Sequence, residues 1–115
     1  MKQLLLLMIL TAVLTSCEND EVEIIIKNKS NNPINHLIVL IQNKQFTVDK
    51  IDVNSYSIIN IKKNNILLNK HDFRIETLVY LKEGKTNSGF FYSDLSGVPN
   101  SKYLIMVYDS STLIK

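Results

Sequence analysis

The sequence predicts an all-β protein: a single small antiparallel β-sandwich of seven or eight strands, preceded by a cleaved helical signal peptide. Three observations carry this prediction. From residue 22 onward, short apolar runs alternate with polar residues at the period of half-buried strands. Clusters of Asn, Ser, Asp, Gly and Pro interrupt these runs about every 8–12 residues, as turns do in sandwiches and barrels. No segment past the leader carries an apolar stripe at helical spacing with caps, and the best helical candidate is one turn around Asn64 to Lys70.

Element by element, "VEIIIKN" sets Val22, Ile24 and Ile26 on one face, with Glu23 and Lys27 opposite. "KSNNPI" reads as a loop, because Asn and Ser favour turns and Pro33 has no N–H for a ladder. In "HLIVLIQ", Leu37, Val39 and Ile41 alternate with Ile38 and Leu40, a pattern open to burial on both faces. Asn43-Lys44 forms a tight turn into "QFTVDKI". In "YSIINIK" the core positions are assigned to Tyr56, Ile58 and Ile61. A short run "ILL" follows at 66–68, then the longest strand candidate, "FRIETLVYLK". "EGKTNSG" reads as a hairpin leading to "FFY" at 90–92, and the loop "SDLSGVPNS" precedes a last strand, "KYLIMVY". Tyr80, Tyr103 and Tyr108 are assigned to the core or its rim.

The chain has 115 residues, room for one domain. Its formal charge of +2 is too small and too evenly spread to indicate nucleic acid as a partner. It has no Trp, two His and one Cys, so no internal disulfide forms and packing alone must hold the core.

That cysteine is Cys17. Lys2 and the apolar run Leu4 to Leu14 have the form of a secretory leader, and the run is shorter than the about 20 residues that span a bilayer. The residues Leu14-Thr15-Ser16-Cys17 resemble the lipobox of bacterial lipoproteins. The resemblance implies cleavage between Ser16 and Cys17, and acyl chains such as palmitate on the mature protein, with one lipid on the Cys17 thiol. Two or more acyl chains, at about 0.8 kcal/mol per buried CH₂, hold a protein stably on a membrane. The expected organisation is a signal peptide at 1–16, an acidic tether at 17–21 and the sandwich at 22–115. The acids Glu18, Asp20, Glu21 and Glu23 resemble the export signal that carries lipoproteins of Bacteroidota to the cell surface. Losing Lys2 with the leader lowers the formal charge from +2 to +1.

In its dimensions the mature domain is close to an immunoglobulin-type sandwich. Within residues 22–61, "VEIIIKNKSNNPINHLIVLI" and "FTVDKIDVNSYSIINI" resemble bacterial immunoglobulin-like adhesion and spacer modules. The resemblance implies that Asn28, closing the first strand, and Ser55 or Ser57, opening a later one, shape loops at the sandwich ends. The chain departs from that pattern at Lys29 and Asn54, where those modules often have glycine.

Little in the sequence points to catalysis. His71-Asp72 is the one adjacent His–carboxylate pair; it lacks a G-x-S-x-G elbow, and Cys17 is committed to lipid. "NKHDF" reads equally as a polar turn. His36 has no acid near it in sequence and reads as a strand-edge histidine, leaving no metal site. Asp49 and Asp52 lack the spacing of a calcium loop and read as a solvated turn. The cluster Phe90-Phe91-Tyr92 cannot face one core, since neighbours on a strand alternate. Phe91 is assigned inward, and Phe90 and Tyr92 become candidate contacts for an envelope protein or glycan.

The functional expectation is a non-enzymatic lipoprotein of the outer membrane, exposed at the cell surface and held to the membrane by its lipid anchor. It has no cofactor, and its sandwich serves as a binding or structural module. The alternative is a periplasmic inhibitor or immunity-type lipoprotein that neutralises a toxin or hydrolase. Fold alone does not rank these.

Overall fold

In the computed structural model, residues 21–42, 44–66, 73–93 and 101–115 are described. Strand β1 (Glu21–Asn28) realises the alternation of its sequence: Val22, Ile24 and Ile26 are fully buried and Lys27 is exposed. On one side it pairs antiparallel with β4 (Tyr56–Lys62), and on the other parallel with β7 (Lys102–Val107). A short β8 (Thr112–Ile114) pairs with β7, giving the order β4-β1-β7-β8. The second sheet has the order β3-β2-β5-β6, all antiparallel, from β3 (Lys44–Val48), β2 (Ile34–Ile41), β5 (Phe73–Leu81) and β6 (Thr86–Ser93).

The two inner faces form one apolar core. Tyr103 lies in it between Phe73, nearly parallel at 5.3 Å, and Phe91, edge-on at 5.4 Å. Phe91 is therefore inward and both its neighbours point out. Taking β1, β2, β3, β4, β5 and β6 as strands B, C, C′, E, F and G gives the strand order of an immunoglobulin sandwich. The position beside β1 is filled by β7, from the far end of the chain.

Several local expectations are corrected. The sandwich is antiparallel except for the β1–β7 ladder, because β7 enters beside β1 after crossing from the other sheet. In β4 Ile61 is buried as expected and Ile59 packs on the core, but Tyr56 and Ile58 face outward. The register explains it, since Ile61, Ile59 and Ser57 stand opposite Val22, Ile24 and Ile26, and directly paired residues share a face. At 66–68, Ile66 is buried beyond a 3-10 turn at Lys63–Asn65 rather than on a strand, and 67–68 lie outside the described residues. Strand β6 begins at Thr86, ahead of "FFY", after a turn in which Glu83 and Gly84 both adopt positive φ. His36 lies within the central strand β2, its ring stacked on Tyr80 at 4.2 Å. Beyond "KYLIMVY" the chain adds β8.

One side of the sandwich is closed and the other open. At the closed side β8 comes against β6 at Gly89, where a Cβ would lie 2.8 Å from Thr77 Oγ1 and 2.9 Å from the Thr112 carbonyl oxygen. Buried Asn87 fastens the same corner: its Nδ2 donates to the Tyr108 carbonyl at 2.8 Å, and its Oδ1 accepts from the Thr112 hydroxyl. At the open side, β4 and β3 are the outer strands of their sheets.

The strand directions also define two poles. The chain enters β1 at one pole. At the other, β1, β3, β5 and β7 end, and four connections gather, at 29–33, 49–55, 82–85 and 108–111.

Candidate functional site

The far pole carries a depression of about 280 Å³ lined by Lys27, Asn28, Lys29, Asn54, Ser55 and Tyr56. Its base is built on Asn28, which is 1% exposed although it is polar. The Asn28 side chain joins two loops. Its amide Nδ2 donates to the carbonyls of Asn32 (2.9 Å), Ile51 (3.1 Å) and Asp52 (3.3 Å). Its Oδ1 accepts from the Ser30 backbone N–H (3.0 Å) and hydroxyl (2.6 Å). Only an amide, with both donors and an acceptor, can serve both sets at once.

The Asn28 backbone holds the opposite wall: its N–H donates to the Ser55 carbonyl at 2.9 Å, and its carbonyl accepts from the Asn54 N–H at 3.1 Å. The Ser55 N–H donates to the Asp52 carbonyl, closing a turn in which Asn54 takes φ 61°. That is the left-handed region, where Asn is tolerated better than most side chains.

Charge and aromatic surface come from the strands. Lys27 stands on the outer face of the first sheet, between its cross-strand partners Tyr56 on β4 and Met106 on β7. Tyr56 is 66% exposed. Lys29 leaves the strand with its N–H donating to the Val107 carbonyl at 2.8 Å. The lining holds two ammonium groups and no carboxylate. Nearby acids are engaged elsewhere: the Asp109 carboxylate accepts from the Asn31 backbone and side chain, both at 2.9 Å, and Asp52 pairs with Lys50 at 3.8 Å.

The residues singled out from the sequence fall in different places. Phe90 and Tyr92 are 59% and 49% exposed, but they lie on the outer face of the other sheet, opposite Glu76 and Arg74, away from this depression. Asp49 is exposed at the pole beyond β3. Among the described residues no group of three or more His, Cys, Asp or Glu could hold a metal ion. Ser16, Cys17, His71, Asp72 and the loop at 94–100 lie outside the described residues.

Asn28 and Ser55, which the resemblance implies shape loops at the sandwich ends, do hold the loops here, whereas Ser57 lies within β4. What sequence reasoning missed was the pairing of Lys27 and Lys29 with Tyr56 around them, although "KNK" at 27–29 carried a signal. Tyr56 was missed because it had been assigned to the core.

No protein-family model and no curated protein matches the sequence. Among solved structures the chain is similar to an NMR structure of a protein from Eubacterium rectale, with a TM-score of 0.62 at 10% identity, covering 86% of this chain and 90% of that one. That likeness shows the fold alone. A non-hemolytic pneumolysin from Streptococcus pneumoniae (TM-score 0.43, 10% identity, 83% of this chain) and a Gram-negative toxin (TM-score 0.44, 9% identity, 84% of this chain) are more distant. This chain spans 23% of each toxin's length.

Proposed function

We propose that the protein is a lipoprotein anchored at Cys17 in the outer membrane and exposed at the cell surface, with a non-catalytic sandwich that binds a partner at the cell envelope. The observation that carries this reading is the placement of the depression at the pole opposite chain entry. Four residue steps separate Cys17 from Glu21, a reach of at most about 14 Å. The entry pole therefore stays close to the membrane. Strands of eight residues, at about 3.3 Å per residue, carry the other pole roughly 25 Å further out. Loops clamped by Asn28, Asn87 and Asp109 suit a rigid recognition surface better than a spacer. Phe90 and Tyr92 supply a second exposed surface on the outer face nearer the entry pole.

A periplasmic inhibitor that captures its target by strand addition is the second reading, supported by the outer position of β4, which among the described residues pairs with β1 alone.

Protease treatment of intact cells, beside lysed cells and a Cys17→Ala strain, separates the two. Digestion on intact cells, with diacyl- or triacyl-modified Cys17 found by mass spectrometry, is the expected result. Protection until lysis would favour the inhibitor reading. An unmodified Cys17 would refute the anchor.

A further inference from the structure

We infer that the depression bounded by Lys27, Lys29 and Tyr56 is a binding site for an acidic saccharide, a sugar ring bearing a carboxylate, sulfate or phosphate. The inference rests on the binding-module reading and names the ligand class of its far pole.

The charge argument comes first. Among the described residues neither Lys27 nor Lys29 takes part in an ion pair, so no carboxylate neutralises the two charges that share this concavity. Two ammonium groups flanking one concavity, with no acid in its lining, set a local potential that favours an anion.

The second argument is the wall. The Tyr56 ring stands beside Lys27 across the β1–β4 ladder and is largely uncovered. An aromatic ring offers an apolar face to the C–H face of a sugar, and its hydroxyl adds a polar handle. The side chains of Asn54 and Ser55 bring amide and hydroxyl groups to the rim. Cations, a stacking ring and neutral hydrogen-bonding groups together match a charged sugar. An acidic peptide would use the lysines and leave the ring idle, and a lipid chain would need an apolar cavity.

Size and rigidity agree. At about 280 Å³ the depression lies just below the usual range for small-molecule sites, and is suited to about one sugar residue with its substituent. The Asn28 hydrogen bonds fix both flanking loops before a ligand arrives, so little ordering cost falls on binding.

The test uses the full chain in detergent and measures affinity by calorimetry at low and physiological ionic strength. The probes are an oligogalacturonide, a heparin-derived disaccharide, a neutral cello-oligosaccharide and a hexaglutamate peptide. At least one acidic sugar should bind, and the neutral one should bind at least tenfold more weakly. Lys27→Gln with Lys29→Gln should reduce affinity at least tenfold and flatten its salt dependence. Tyr56→Ala should reduce sugar affinity at least fivefold, with Tyr56→Phe restoring most of it. Lys62→Gln, which removes an exposed lysine at the entry-pole end of β4, should leave it unchanged. Absence of acidic-sugar binding at low salt overturns the inference, as does binding indifferent to the lysine and tyrosine variants. Equal binding of hexaglutamate that ignores Tyr56 also overturns it. Crosslinking on intact cells distinguishes the failures: an envelope partner still captured would preserve the binding-module reading, and none captured would remove both.

Discussion

Asn28 offers the sharpest test of how this fold is held together. In Asn28→Ala the backbone N–H of Ser30, a residue 2% exposed, loses its acceptor, and an orphaned buried donor costs about 1–3 kcal/mol. The three carbonyls fare better, because each keeps one partner. Asn32 O takes the proton of the Ser30 hydroxyl, 2.7 Å away and released by the loss of Asn28 Oδ1, while Ile51 O keeps the Ile34 N–H at 2.9 Å and Asp52 O the Ser55 N–H at 3.1 Å. Each lost second bond then costs about 0.5 kcal/mol. The expected loss is about 3 kcal/mol, read from urea denaturation as a lower midpoint with an unchanged slope.

Asn28→Asp separates the donors from the shape. The introduced carboxylate can serve Ser30 but faces three carbonyl oxygens inside the protein, so at neutral pH the loss should exceed that of Ala by at least about 1 kcal/mol. Burial and those oxygens raise its folded-state pKa above the unfolded value. The extra destabilisation is complete above the folded-state pKa and shrinks as pH falls through it toward the unfolded one. The Asp variant should therefore gain on the Ala variant between about pH 7 and pH 4. A loss below about 1 kcal/mol for Ala, or an Asp deficit that ignores pH, would refute the argument.

Two further outcomes follow from the packing. Gly89→Ala should cost about 2 kcal/mol in thermal or chemical denaturation, because the new methyl group meets Thr77 Oγ1 and the Thr112 backbone and must push β8 from β6. The phase of β4 is tested by a pair: Ile61→Ala should cost about 2–4 kcal/mol and the outward Ile58→Ala less than about 1 kcal/mol, with the reverse order refuting the register described above.

Much of the fold was legible because strand signals are local. The alternation in "VEIIIKN" and "FRIETLVYLK" determined which residues of β1 and β5 enter the core, and in "FFY" it set Phe91 on the face opposite Phe90 and Tyr92. Where both faces of a segment are apolar, the local signal fails. "YSIINIK" places Tyr56 and Ile58 on one face and Ile59 and Ile61 on the other, and nothing within seven residues chooses between them. "TLI" near the end is too short to declare itself a strand without β7 beside it.

By itself the sequence determined the all-β class, the main strands and turns, and the lipobox-like expectation at Cys17, because each is written in contiguous residues. Only the tertiary structure decided the parallel docking of β7 on β1, the closure at Gly89 and the outward turn of Tyr56. It alone brought Lys27, Lys29, Asn54, Ser55 and Tyr56 around one buried asparagine. The reason is register: a strand with two apolar faces takes its inward face from the partner it pairs with, and that partner is distant in sequence, as Ile24 is from Ile59.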